Sequence, residues 1–159
     1  MILTRSEMAQ KCLELKSSGK KIVFTNGCFD IIHSGHVTYL AQARSLGDVL
    51  VVGMNTDDSV RRLKGPTRPV NNENDRSIVL SALKSVDYVT LFNEDTPYEL
   101  ISLLKPDVLA KGGDYTLENV VGREVVEGRG GRLVLVPFLP GHSTSVIVER
   151  IRMERGVTV

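Results

Sequence analysis

Cysteine is scarce in this chain. Cys12 and Cys28 are its only two, too few for a disulfide framework and without the paired spacing of a zinc-ligand cluster. An excess of one charge is lacking as well. Twenty basic residues stand against 19 acidic ones, for a formal charge of +1, so neither a nucleic-acid partner nor an anionic membrane surface is indicated. No apolar run approaches the roughly 20 residues of a membrane span. The N-terminal stretch "MILTRSEMAQK" has no apolar signal-peptide region. Repeats, low-complexity tracts and linkers are also missing. Two nucleotide-binding signatures are absent: the first strand-like run is not followed by GxGxxG, and no GxxxxGK[ST] occurs. What remains is a reduced, cytoplasmic globular protein, and 159 residues suffice for one domain around one hydrophobic core.

What is present is an alternation of short apolar runs and helical patterns. A helix is predicted over 4–18, with Ser6 as its cap, Met8, Cys12 and Leu15 at helical spacing, and Gly19 as its stop. The run 21–25 reads as a buried strand. Residues 36–46 read as a helix with Val37, Leu40 and Ala41 on one face. A second strand over 48–54 leads to a short helix from Thr56, whose Asp57 and Asp58 suit a helix N-terminus. The segment 63–72 has two prolines, a glycine and two asparagines, the composition of an exposed loop. The helix predicted over 73–85 is apolar around much of its circumference, which points to deep burial or a subunit contact.

Further strands are expected over 86–92, 107–112 and 131–137. Helices are expected over 96–105, with Pro97 in the first turn, weakly over 115–128, and over 143–154. Apolar strands alternating with helices imply a parallel sheet covered on both faces. The fold class is α/β: a single doubly wound, Rossmann-like domain over 1–159, with five parallel strands, an N-terminal helix over 1–19 and a core over 20–152. Ligands of such folds bind beyond the C-terminal ends of the strands. The candidate segments are therefore 25–36, 54–58, 92–95, 111–115 and 137–145.

The first of these reads "TNGCFDIIHSGH". After the strand, Thr25, Asn26, Gly27, Cys28 and Phe29 form a turn of mostly small residues in which backbone N–H groups can approach a ligand. His33 and His36 lie three apart where a helix begins, so both imidazoles can point at one anion near the positive helix end. Gly35 between them leaves room for a phosphate. The alternative is that His33 caps the helix and His36 is a surface residue, and the four residues alone leave both readings open. A zinc site needs more ligands, and the third histidine, His142, has no cysteine nearby. Asp30 suits a cation, a sugar hydroxyl, or an Asx bond holding the turn. Asn55 and Asp57 follow the second strand and are candidates for substrate contact or for capping. Ser143, Thr144 and Ser145 can cap the last helix and bind phosphate oxygens at its start.

"GCFDIIHSGH" resembles the (H/T)xGH signature of the cytidylyltransferase-like nucleotidyltransferase superfamily, placed after the first strand as in that family. "NTDDSVRRLKGPTRPVNNENDR", "LKPDVLAKGGDY" and "GHSTSVIVERI" are similar to the adenylyltransferase domains of bacterial ADP-heptose synthases, a branch of the same superfamily. The chain would be a stand-alone version of such a domain.

The resemblance implies transfer of AMP from ATP to a sugar 1-phosphate, a heptose 1-phosphate in this branch, with release of pyrophosphate. The product would be an ADP-heptose for lipopolysaccharide or another surface glycan. Mg2+ would arrive with ATP. A homodimer is expected from the apolar helix over 76–84, for which core burial is the equal alternative. By the same resemblance, His33 and His36 stabilise the transferring phosphate. Lys64 and Arg68, in the loop, and Arg76, in the helix that follows, carry substrate and pyrophosphate contacts. Lys111, Gly112, Gly113, Asp114 and Tyr115 contact the nucleotide or its sugar, and Ser143, Thr144 and Ser145 hold the triphosphate. Cytidylyltransferases for glycerol phosphate and choline phosphate carry Arg-Thr-Glu-Gly before the last Ser/Thr motif. Here "FLPGHSTS" has no arginine, which favours adenine, although His142 departs from the heptose pattern. The runners-up are glycerol-3-phosphate cytidylyltransferase, pantetheine-phosphate adenylyltransferase and a non-catalytic nucleotide-binding domain.

Overall fold

The computed structural model describes residues 1–112, 119–137 and 143–154. In chain order the elements are α1 (Arg5–Ser17), β1 (Ile22–Gly27), α2 (Ser34–Arg44), β2 (Val49–Asn55), α3 (Asp57–Lys64), α4 (Glu73–Ser81), β3 (Tyr88–Phe92), α5 (Tyr98–Leu104), β4 (Val108–Gly112), α6 (Arg123–Glu127), β5 (Arg132–Val136) and α7 (Thr144–Glu154). The five strands form one parallel sheet in the order β3-β2-β1-β4-β5, so the α/β architecture expected from the alternation is the one found. Among the described residues, no helix is long and apolar enough to cross a membrane.

The strands are apolar throughout because both faces of the sheet are covered. Val23, Leu50, Val52, Val108 and Ala110 pack with Tyr39, Leu40 and Ala43 of α2 and Leu80 of α4. The alternate residues Ile22, Phe24, Val49, Val51 and Leu109 pack on the other face with Met8 and Cys12 of α1 and Leu100, Ile101 and Leu104 of α5. Side chains one residue apart on a strand point to opposite faces, and here each face meets a helix layer. Gly53 in β2 marks a close approach, since a Cβ there would lie 2.8 Å from the Phe24 ring. At the N-terminal ends of the strands, carboxylates accept from backbone N–H groups across the sheet. Asp107 takes Ile22 at 2.7 Å and Asp87 takes Leu50 at 2.7 Å. That edge is closed with side chains of its own, whereas the C-terminal edge opens into a pocket.

Three local expectations change. Thr4, not Ser6, caps α1: its Oγ1 accepts from the Glu7 N–H at 3.3 Å while Glu7 Oε2 accepts from the Thr4 N–H at 2.8 Å. A reciprocal cap needs Glu or Gln three residues on, and only Thr4 has one. The buried face of α2 is Gly35, Tyr39, Leu40 and Ala43, while Val37 and Ala41 are exposed. Tyr39 sets this rotation, because its hydroxyl lies 2.6 Å from Thr25 Oγ1 and donates to Ala110 O at 3.1 Å across the sheet. Finally, α4 ends at Ser81 and buries Leu80, but Ile78 and Val79 are 59% and 49% exposed, so deep burial does not hold around its whole circumference.

Candidate active site

A pocket of about 500 Å³ lies over the C-terminal ends of β1 and β4. β1 and the turn after it bring Asn26, Gly27, Cys28, Phe29 and Asp30, and α2 brings His36. Asn55 ends β2, Lys64 ends α3, Arg68 comes from the following loop and Lys111 from β4. Thr144 and Ser145 at the start of α7 also line it, and Thr144 Oγ1 donates to Ile31 O at 3.4 Å. Gly112 and Tyr39 line a smaller recess of about 160 Å³ that shares Asn26 and Lys111 with this pocket.

The histidine pair is the geometric centre of the motif. His33 occupies the N-cap position of α2 without a side-chain capping bond, its carbonyl accepting from the His36 N–H at 2.9 Å. The capping role for its imidazole is thus not the one realised. The two rings instead face each other, centroids 3.9 Å apart and planes 33° apart. Burial, reinforced by His33, pushes the His36 imidazole down to about 4, so it is neutral at physiological pH. A neutral imidazole keeps one N–H to donate and adds no fixed charge to the site. The Nδ1 atom of His36 is buried with no protein partner among the described residues.

Lys111 is only 6% exposed and donates to Asn26 Oδ1. Burial pushes its ammonium down to about 8, as expected for a cation held in a desolvated strand end until an anion arrives. At α7, Ser143 Oγ accepts from the Val146 N–H at 3.2 Å, which caps the helix. Thr144 and Ser145 line the pocket beside it, so capping and a helix N-terminus open to an anion coexist. Burial pushes the Cys28 thiol up, which leaves it a protonated, small wall residue.

Several expected ligand contacts are replaced by contacts within the chain. The Asp30 carboxylate, 4% exposed, accepts from Arg68 Nε at 2.6 Å, from the Val70 N–H at 2.8 Å and from the Asn71 N–H at 3.0 Å. Burial alone would raise this carboxyl, but the donors from Asn71, Val70 and Arg68 together hold it below its ordinary value. Asp30 therefore binds the 68–71 loop to the turn, and its oxygens are engaged where a cation or sugar hydroxyl was expected. Arg76 does not line the main pocket. It is 1% exposed, and its Nη2 bonds to Asp57 Oδ1 at 2.7 Å; neither Arg76 nor Asp57 is among the residues lining that pocket. Thr25 is fully buried and engaged with Tyr39; strand alternation turns it away from the pocket. Asn55 lines the pocket while its Nδ2 donates to Ser59 Oγ at 2.9 Å. Gly113, Asp114 and Tyr115 lie outside the described residues, as does His142.

Leu63, Asp95, Thr96, Pro97, Asn119 and Val121 also line the pocket, and the sequence alone does not single them out. The post-strand position of 92–95 is the available signal for Asp95 and its neighbours. Nothing in the spacing marks Asn119 or Val121, which fall where only a weak helix is legible. Among the described residues, no group of three His, Cys, Asp or Glu side chains is placed to hold a metal ion.

The chain is similar to several known proteins. The chain is 63% identical over 135 residues to the bifunctional protein HldE of Citrifermentans bemidjiense, covering 85% of this chain and 28% of that protein. It is 54% identical over 151 residues to the bifunctional protein HldE of Aliarcobacter butzleri, covering 95% of this chain and 31% of that one. It thus spans about three tenths of the length of these curated relatives. Among solved structures, the lipopolysaccharide core biosynthesis protein from Thermoplasma volcanium is 32% identical with a TM-score of 0.62, covering 76% of this chain and 98% of that one. Pantoate-beta-alanine ligase from Francisella tularensis, complexed with beta-gamma ATP and beta-alanine, shares the fold at 15% identity, with a TM-score of 0.63 over 91% of this chain and 69% of that one. Residues 24–150 match the family described as Cytidylyltransferase-like; that span contains every pocket residue from Asn26 to Ser145, and the chain belongs to this family.

Proposed function

We propose that this pocket binds ATP and a sugar 1-phosphate, a heptose 1-phosphate by the sequence resemblance, and transfers AMP between them with release of pyrophosphate. The observation that carries the reading is the pair of imidazoles 3.9 Å apart at the start of α2, of which His36 lines the same pocket as Lys111, Thr144 and Ser145. The acceptor is itself a phosphate oxyanion, so no general base is needed to generate the nucleophile. One of its oxygens attacks the α-phosphorus in line, and the bond from that phosphorus to the pyrophosphate oxygen breaks. The bonding pair leaves with pyrophosphate, and no covalent enzyme intermediate forms. What the protein supplies is alignment and stabilisation of charge.

His36 and His33 are assigned to the α-phosphate, with His36 donating from a neutral ring. Lys111 and the first turn of α7 are assigned to the triphosphate chain, and Lys64 and Arg68 to the departing pyrophosphate. Mg2+ arriving with ATP would offset triphosphate charge, and no protein carboxylate is assigned to it. Kinship with proteins named bifunctional protein HldE and with a lipopolysaccharide core biosynthesis protein supports the sugar-phosphate acceptor.

The test is a matrix of ATP and CTP, each offered with heptose 1-phosphate and with glycerol 3-phosphate, read as pyrophosphate release. Release only with ATP and heptose 1-phosphate is expected. Turnover with CTP and glycerol 3-phosphate would move the protein to another branch, and no release from any pair would make it a binding module.

A further inference from the structure

Arg76 is the largest fully buried side chain among the described residues, and each arm of its guanidinium goes to a different segment. Nε donates to Asn71 O at 3.0 Å, Nη1 to Cys28 O at 2.5 Å and Nη2 to Asp57 Oδ1 at 2.7 Å. The turn after β1, the loop before α4 and the start of α3 thus meet on one planar cation. Asp30 pins the same turn two residues further on, through the Val70 and Asn71 N–H groups and Arg68.

Between these fixed points lies Phe29, with φ +47. A bulky L residue avoids this left-handed region and stays there only when its surroundings over-determine it. The surroundings here are Cys28, held through its carbonyl, and Asp30, held through its carboxylate. The consequence is local to the candidate site. The Phe29 ring is 5% exposed and stands 5.4 Å from the His36 ring at an interplanar angle of 56°. Its near edge would be 3.1 Å from a Cβ at position 27, where the chain has glycine. His36 is therefore braced by Phe29 as well as by His33.

We propose that Arg76 is a positioning residue for the transfer: by clamping the Cys28–Asp30 turn it keeps Phe29 in its left-handed conformation, and Phe29 in turn fixes the His36 ring towards the pocket. This inference rests on the reading of His36 as a group facing the transferring phosphate. It differs from the phosphate contact expected of Arg76 from sequence, because no arm of the guanidinium is directed at the main pocket. Lysine keeps the charge but cannot serve three acceptors in one plane, so Arg76→Lys isolates the geometry.

The test uses the full chain carrying Arg76→Lys, Phe29→Leu, or both. Pyrophosphate release gives kcat and KM for ATP, and the chemical shift of the His36 ring protons at neutral pH reports the ring's placement beside Phe29. Each single variant is expected to lower kcat about tenfold or more, with KM for ATP changed less than about twofold. Each should also move the His36 signal, and the double variant should lose no more than the worse single one, because both act through the same ring.

A raised KM with an unmoved His36 signal would restore the substrate contact and overturn the proposal. So would an unchanged kcat alongside a lowered melting temperature, or losses that multiply in the double variant. Should Arg76→Lys fail to fold, Asp57→Asn weakens one arm of the clamp and carries the same two readouts. If the parent chain itself releases no pyrophosphate, the functional reading fails, and the His36 signal alone decides the clamp: movement in the variants supports it and no movement overturns it.

Discussion

Burial acts on two groups in the pocket in the same direction: it keeps His36 neutral at physiological pH and makes Lys111 a weak base. An arriving polyphosphate reverses the second effect, since a nearby negative charge favours the ammonium. In the free protein Lys111 is pushed from its ordinary 10.5 to about 8, so between these values it is largely deprotonated and bound ATP returns it towards the protonated form. Binding should take up a proton in that window and none well below it. Calorimetry of ATP binding at mildly alkaline pH, in two buffers of different ionisation enthalpy, should give enthalpies that differ accordingly. Lys111→Gln should abolish the difference. The pocket positions of His36 and Lys111 were legible because each stands at or beyond the end of a strand. Arg76, Asp57 and Thr25 were not: a polar residue near a strand end looks the same in sequence whether it faces a ligand or, as Thr25 does, a buried tyrosine.

At the scale of elements, short strands covered on both sides leave little spare volume. Gly53 in β2 faces Phe24 and Leu100, and a Cβ added there would come within 2.8 Å and 3.1 Å of them. Gly53→Ala should overpack the face carrying α1 and α5 and cost about 1–3 kcal/mol of stability, read as a lowered midpoint in urea with an unchanged slope. The type and order of the elements were legible, since each strand is a brief apolar run between turn residues and each helix carries its own spacing. Faces and ends were less so. The rotation of α2 depends on one hydroxyl, that of Tyr39, reaching Thr25 and Ala110 across the sheet, a long-range bond with no local signature. The start of α1 was legible in principle, because the Thr4–Glu7 pair has the spacing of a reciprocal cap.

Across the whole molecule, the chain builds outward from β1 through β2 to β3, then returns to the other side of β1 to place β4 and β5. Strand order reverses between β1 and β4, and folds of this kind bind ligands at that point. Asn26 from β1 and Lys111 from β4 are bonded to each other there. The sequence pattern identified the edge of the sheet but not the strand order, which long-range packing decides. At this edge, in the proposed function, AMP is transferred under the control of the histidine pair. A radiolabel on the α-phosphate of ATP tests this transfer when the nucleotide is incubated with heptose 1-phosphate and either the parent chain or its His36→Ala variant. Label is expected in the nucleotide sugar and none in pyrophosphate, with the variant slower by about 10²–10³-fold. Label released as free AMP, or a variant as fast as its parent, would contradict it.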